Sequence, residues 1–269
     1  MKKNRLIPVL LLKNGWLVQS KEFCRYQNLG NPTTAVRRIS EWGSDELIYL
    51  DISKNEHYDI GRNDQNYPNR QSFLEIIEDV SQVTFMPMTI GGKIEKLQDI
   101  EKRLKLGADK ISINSKAIIE PNFIEDASKE FGSQCIVVSI DAKIDYKNYV
   151  VYDHKNSCST ELKVLDFSKQ VESLGAGEIL LNSVDRDGKG NGYDIDLLNL
   201  VSKQVKIPVI ACGGVGEWNH FQEALEKTNV DAVAAANIFN YIEHSVYYAK
   251  KHLFDGGHNV RKPDLINIK

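Results

Sequence analysis

Eight times along the chain a short apolar run, bounded by polar residues or glycine, gives way to a longer stretch of helical period, and this alternation leaves few folds open. The apolar runs are residues 6–12, 47–52, 83–90, 110–113, 135–140, 178–182, 208–212 and 232–236; the amphipathic stretches are 33–42, 71–80, 96–106, 122–131, 164–174, 195–205, 218–227 and 243–253. Asn31-Pro32 is a start signal for the first helix, and Gly107 and Gly175 stop the third and fifth. Eight strand-then-helix units in 269 residues approach the roughly 250 residues of a closed (β/α)8 barrel. An open doubly wound sheet would call for G-x-G-x-x-G after the first strand, and the sequence has none there. The expected fold is one (β/α)8 TIM-barrel domain over residues 1–269.

A weak internal duplication supports the barrel. Pro87-Met-Thr-Ile-Gly-Gly92 resembles Pro208-Val-Ile-Ala-Cys-Gly-Gly214, Ala108-Asp109 resembles Val230-Asp231, and Glu46-Leu-Ile resembles Glu178-Ile-Leu. The offsets of about 120 to 130 residues are half a barrel, so a site in one half should have a counterpart in the other. Two segments interrupt the repeat: the long polar loop 53–69, and 143–159, whose run Tyr149-Val-Val-Tyr152 predicts a small hairpin. Both follow strands and so lie on the face where barrel enzymes place their chemistry.

A net charge of −3 gives no global attraction to nucleic acid or to a membrane surface, so an anionic ligand must be held by local positive potential. No run approaches the roughly 18 apolar residues of a membrane helix, and the basic start lacks a secretory cleavage site, which predicts a cytoplasmic protein. Cys24, Cys135, Cys158 and Cys212 lie far apart with no C-x-x-C pair, so reduced thiols are expected, with no metal and no cofactor. The six histidines, His57, His154, His220, His244, His252 and His258, show no partner pattern and read as surface residues.

Phosphate binding has the firmest basis. Gly91-Gly92 after the third strand and Gly213-Gly214 after the seventh let backbone N–H groups approach an anion, and Asn114-Ser115 and Ala236-Asn237 open the helices after the fourth and eighth. Glycine pairs at strand ends also make plain tight turns, but two at half-barrel spacing outline two anion nests and a substrate with a phosphate at each end. Of the carboxylates at strand C-terminal ends, Asp141 is the strongest candidate acid or base, with pairing to Lys143 as the structural alternative. Asp51 and Asp185 read equally well as substrate contacts or as strand-end caps, and Asp187-Gly188 as a hydroxyl contact or part of the second nest. Arg5, Glu46, Lys110 and Glu178 stand at the opposite strand ends; spacing alone favours a stabilising ionic plug at the N-terminal mouth.

Leu6-Ile-Pro-Val-Leu10 with Lys13-Asn-Gly15, Asp45-Glu-Leu-Ile-Tyr-Leu-Asp-Ile52, Gly107-Ala-Asp-Lys-Ile-Ser-Ile-Asn-Ser115, Phe131-Gly-Ser-Gln134, Ser139-Ile-Asp-Ala-Lys143, Gly175-Ala-Gly-Glu-Ile-Leu-Leu181, Asp185-Arg-Asp-Gly188 and Gly192-Tyr-Asp194 closely resemble the cyclase subunit of imidazole glycerol phosphate synthase over nearly the whole chain. The resemblance implies a barrel that takes ammonia from a separate glutaminase subunit docked at its N-terminal mouth. The ammonia would react with a bisphosphorylated ribulosyl aminoimidazole carboxamide compound to give imidazole glycerol phosphate and an aminoimidazole carboxamide ribotide. It makes Arg5, Glu46, Lys110 and Glu178 an ammonia gate, and maps the phosphate sites onto Gly92 or its neighbour Gly91, Asn114 and Ser115 in one half, and onto Asp187, Gly188, Gly214, Ala236 and Asn237 in the other.

The resemblance also implies catalytic aspartates at positions 11 and 141; Asp141 is present and position 11 is Leu11. Gln19 stands for a lysine, Lys93 for the third glycine of the first nest and Asn182 for a threonine, and loop 53–69 is longer than usual. Leucine can neither accept nor deliver a proton, which favours a paralogue whose acceptor chemistry has diverged, of the kind linked to sugar amidation for surface polysaccharides and working beside a separate amidating enzyme. The other readings are an ordinary histidine-pathway cyclase and a non-catalytic ammonia-conducting scaffold.

Overall fold

The computed structural model describes residues 3–21, 25–54, 58 and 70–266. In chain order the elements are β1 (Arg5–Lys13), β2 (Trp16–Lys21), β3 (Arg25–Gly30), α1 (Pro32–Glu41), β4 (Leu47–Asp51), α2 (Phe73–Ser81), β5 (Met88–Gly91), α3 (Leu97–Lys105), β6 (Lys110–Ile113), α4 (Ser115–Ile119) and α5 (Asn122–Phe131). They continue with β7 (Ile136–Asp145), β8 (Asn148–Asp153), β9 (Cys158–Lys163), α6 (Val164–Ser173), β10 (Glu178–Ser183), α7 (Ile195–Ser202), β11 (Val209–Cys212), α8 (Trp218–Lys227), β12 (Ala232–Ala235) and α9 (Ser245–Asp255).

Eight of these strands pair in parallel in the order β1-β4-β5-β6-β7-β10-β11-β12, and β12 returns to β1 with Arg5 opposite Ala232. The ring is therefore a closed (β/α)8 barrel, as the alternation predicted. Its two halves bring Gly91 to the end of β5 and Gly213-Gly214 to the end of β11, at corresponding places in the duplication. Helix starts follow ordinary capping chemistry: the Asn31 side chain accepts from Thr34 N with Pro32 in the first turn, and the side chains of Ser72 and Asp194 cap α2 and α7.

Residues alternate across each strand, so a closed sheet sorts them into two cores. Leu6, Leu10 and Leu12 of β1 face the helices, as do Leu47 and Tyr49 of β4. Ile7, Val9, Ile48, Val137, Leu180, Ile210, Ala232 and Ala234 pack instead inside the barrel, with Leu11, Leu50, Cys212 and Ala236 against them. The parity that turns Ile7 and Val9 inward also turns Arg5 inward at one end and Leu11 at the other.

One expected element needs correction and one element is new. The strand expected over 83–90 is only Met88–Gly91, because the preceding apolar residues finish α2: Val83 N and Thr84 Oγ1 both donate to the Val80 carbonyl, and Phe85 is 66% exposed. A hairpin after the first strand was not foreseen. Asn14 and Gly15 both take positive φ, the conformation an Asn-Gly turn favours, and reverse β1 into β2, which pairs in turn with β3. The hairpin expected after the fifth strand is present as β7–β8, with β9 added to it. Of loop 53–69, residues 55–57 and 59–69 lie outside the described residues, as do Cys24 and His57.

At the N-terminal face a buried ion pair fastens α9 to the barrel. Lys250 Nζ donates to the Gly43 carbonyl and to Asp45 Oδ1, the latter at 2.9 Å, while Asp45 Oδ2 accepts from Leu6 N. Removing one partner strands the other charge in a low-dielectric site. Lys250→Met is expected to cost about 3 to 5 kcal/mol in urea unfolding, with part recovered by adding Asp45→Asn; a loss below about 1 kcal/mol would mean that the pair does not hold α9 in place.

Candidate functional site

At the N-terminal mouth four side chains from β1, β6, β10 and the residue preceding β4 close into a ring of alternating charge. Arg5 Nη1 donates to Glu46 Oε1 at 2.8 Å and to Glu178 Oε1 at 3.0 Å; Lys110 Nζ donates to Glu46 Oε2 and Glu178 Oε2, both at 3.2 Å. Each side chain is at most 17% exposed. Burial works against the Arg5 charge, but the Glu178 and Glu46 carboxylates more than offset it and hold its proton more tightly than usual. Arg5 serves both carboxylates through one nitrogen, and its Nε and Nη2 are buried without a hydrogen-bond partner among the described residues. The ring therefore lacks the two-pronged geometry that makes arginine–carboxylate pairs strongest.

At the opposite end of the same axis lies Asp141, 6% exposed, on the inward face of β7. Its Oδ1 accepts from Asn182 Nδ2 at 2.8 Å, and its Oδ2 accepts from Asn114 Nδ2 at 2.9 Å and lies 3.0 Å from His154 Nε2. The Lys143 pairing considered from sequence is not what holds it: Lys143 Nζ sits over the Tyr152 ring, 5.2 Å from its centre. Leu11 lines this mouth beside Leu50, its register partner on β4. Cys212 is next to Asn182 across the β10–β11 ladder; burial, then the charges of Asp187 and Asp141, push its thiol well above the ordinary range and keep it protonated.

His154 corrects the expectation that the histidines are surface residues. It follows β8 directly, and the hairpin folds it over the mouth, where its ring meets the edge of Tyr152 at 4.9 Å. Burial alone would lower the imidazole pKa, but the Asp141 carboxylate, 3.0 Å from Nε2, and the charges of Asp153 and Asp187 raise it above the ordinary value. The available signal was the alternation Tyr149-Val-Val-Tyr152: Tyr152 and His154 share one face of a strand whose Val151 is buried. His220 is likewise occupied, accepting on Nδ1 from Gly216 N and Glu217 N at the start of α8.

The two glycine pairs are places where no side chain fits. A Cβ on Gly92 would overlap the Asp51 carbonyl, one on Gly214 the Gly192 carbonyl, and one on Gly213 would meet Asn182 Oδ1 at 2.7 Å. Asn114 and Ser115 stand at the start of α4, one strand from Gly91-Gly92. Around the second pair, Asp187 Oδ2 accepts from Ser20 Oγ at 3.3 Å, Asn237 Nδ2 donates to the Ser20 carbonyl at 2.7 Å, and Gly188 passes within a side chain's width of Ser20 and Lys21. Ala236 packs against the inner core beneath them. The β2 strand thus gathers Asp187, Gly188 and Asn237 at one rim, a contribution sequence reasoning missed.

Asp51 does not reach the mouth, contrary to the expectation of a substrate contact. Ile48 and Leu50 face inward, so the next residue points outward, and its side chain is fully enclosed. It accepts from Ser53 N, Ser53 Oγ and Tyr58 Oη, and pairs with Lys93 Nζ at 3.1 Å. Asp185 is also a structural cap, accepting from Ile144 N at 2.7 Å. Lys93 holds φ 54, a conformation lysine seldom takes.

A family model described as histidine biosynthesis protein matches residues 5–245. The imidazole glycerol phosphate synthase subunit HisF of Geobacillus kaustophilus (strain HTA426) is 41% identical over 259 residues, covering 96% of this chain and 98% of that one. A Vibrio vulnificus (strain YJ016) protein provisionally named imidazole glycerol phosphate synthase subunit hisF2 is 42% identical over 261 residues, 97% of this chain and 92% of its own. The imidazole glycerol phosphate synthase subunit HisF of Bacillus cereus (strain G9842) is 40% identical over 262 residues, 97% of this chain and all of its own.

The raised His154 pKa makes its partnership visible in stability. A folded-state value above the unfolded one stabilises fully below about pH 6.5 and loses that contribution as pH rises through the folded value. His154→Gln is therefore expected to lower the urea midpoint more at about pH 5.5 than at about pH 9. A larger loss at the alkaline end would reverse the assignment.

Proposed function

The chain belongs to the histidine biosynthesis protein family, and from that membership we propose that it is the cyclase-type synthase subunit of an imidazole glycerol phosphate synthase-like glutamine amidotransferase acting in the cytoplasm. A glutaminase partner docks on the N-terminal face and releases ammonia at the ring of Arg5, Glu46, Lys110 and Glu178. Beyond the ring the wall is Ile7, Val9, Ile48, Val137 and Leu180. Ammonium would lose several kcal/mol of hydration there, whereas neutral ammonia loses little. The wall thus favours the nucleophilic form.

At the C-terminal mouth the acceptor's two phosphates rest on Gly91, Gly92, Asn114 and Ser115 on one side, and on Asp187, Gly188, Gly213, Gly214, Ala236 and Asn237 on the other. The nests bind through backbone N–H groups, which impose direction without a titrating charge. Asp141 handles protons between them. The observation that carries this reading is that one apolar axis joins a closed charge ring to a carboxylate held by two amides.

Leu11 favours a second reading, in which the same ammonia delivery serves a different acceptor: amidation of a sugar for surface polysaccharide, with a separate amidating enzyme at the C-terminal rim. Purified protein given ammonium and the ribulosyl substrate separates the two. Imidazole glycerol phosphate formed at a family-like rate supports the first and ends the second; no product, with activity gained on Leu11→Asp, does the reverse.

Two further outcomes follow from the roles assigned. Asp141→Asn should lower ammonium-dependent turnover by about 10²- to 10⁴-fold while partner binding, measured by titration calorimetry, is kept; unchanged turnover would leave the barrel a conducting scaffold. Glu46→Gln should alter glutamine-dependent turnover with the partner and spare ammonium-dependent turnover. Equal effects on both would remove the gate.

A further inference from the structure

Resting on the cyclase reading above, ring closure around an ammonia-derived nitrogen needs one proton accepted as the C–N bond forms and one delivered to the departing fragment. On the β1 wall the mouth offers Leu11 and, one strand over, Leu50. Among the described residues, Asp141 and the titratable group nearest to it lie on the side built by β7, β8 and β10. There Asp141 has three polar neighbours, and two of them, Asn114 and Asn182, are amides that do not titrate. The third is His154, with Nε2 3.0 Å from Asp141 Oδ2 and 30% of its side chain still open.

We infer that His154 and Asp141 work as one proton-carrying pair, the imidazole supplying the second acid–base function that Leu11 lacks. The carboxylate, 3.0 Å from Nε2, orients the ring and stabilises the imidazolium when it forms, the part a buried aspartate plays behind the histidine of a catalytic triad. In the ring-closing step the neutral imidazole takes the proton freed as the attacking nitrogen's N–H bond breaks and its C–N bond forms, while the C–N bond to the departing fragment breaks. It then returns that proton to the departing nitrogen. No net proton or electron is consumed.

The surroundings suit a group that alternates between charged and neutral. Asp153 on β8 and Asp187 after β10 add negative charge, although Asp153 is occupied by Lys155 N and by Asn156, and Asp187 by Ser20. On the other side are the edge of Tyr152, with Lys143 over that ring, and the protonated thiol of Cys212 near both Asp141 and Asp187.

The test joins a titration to a rate profile on the full chain. Following the His154 imidazole by NMR, Asp141→Asn should lower its midpoint by at least about one unit, since a charge partner shifts a pKa by about 1 to 3 units. The acid limb of ammonium-dependent kcat in the wild type should track the His154 midpoint. In His154→Gln that limb should vanish, with kcat about 10²-fold lower and KM little changed. An imidazole midpoint indifferent to Asp141→Asn, or an acid limb that survives His154→Gln, overturns the proposal. If the wild type makes no imidazole product, the cyclase reading fails on that result alone, and the titration then upholds or overturns the coupling of the two groups.

Discussion

Closure of the sheet through the β7–β10 ladder, Glu178 opposite Val137 to Ser183 opposite Ala142, is the constraint from which the site follows. Once the ring is shut, every second residue of every strand must share the same narrow interior, and whatever stands at the ends of those inward rows meets on one axis. Arg5, Lys110 and Glu178 share an end because they begin their rows, with Glu46 just ahead of its strand; Leu11, Asp141 and Asn182 share the other because they finish theirs. Of the four ring residues only Glu46 lies outside a strand, immediately before β4.

That geometry also fixes the electrostatics. Four charges that would repel or desolvate singly are tolerated at the N-terminal mouth because they alternate in sign and satisfy one another. Above them come side chains with no charge to offer, until Asp141 is met among amides. A charged species would be stabilised at either end and penalised between.

How far the sequence foretold this depends on whether the signal was periodic. The strand–helix alternation and the inward parity of Arg5, Glu46, Lys110, Glu178 and Asp141 could be read from residue order, because a repeating backbone imposes them. Asp51 was left between substrate contact and strand-end cap because its position at a strand end was weighed without parity: one residue past Leu50 it faces outward, into Ser53, Tyr58 and Lys93. His154 was passed over because its partner is thirteen positions away and met only after a hairpin reversal, a contact without local period. The β1–β2 hairpin carried its Asn14-Gly15 turn in plain view, but β2 and the β3 strand paired with it are short and β3 is largely exposed, so hydrophobic patterning barely marks them.

The two proposed anion nests are not electrically equivalent, although the half-barrel repeat places a glycine pair at the strand end in each. At the second, Gly213 and Gly214 bring backbone close to Asn182 and Gly192, and a carboxylate, Asp187, stands at the rim. At the first, Lys93 follows Gly91-Gly92 in a left-handed conformation that costs about 1 kcal/mol, and its ammonium is tied to Asp51 beneath the nest. A lysine already neutralised by a carboxylate adds little long-range attraction for a phosphate, yet the tether from Asp51 through Ser53 and Tyr58 makes the start of loop 53–69 part of the nest's foundation. Lys93 is therefore joined through Asp51 to Ser53 and Tyr58, so a substitution at any of the four would disturb the turn that follows Gly91-Gly92.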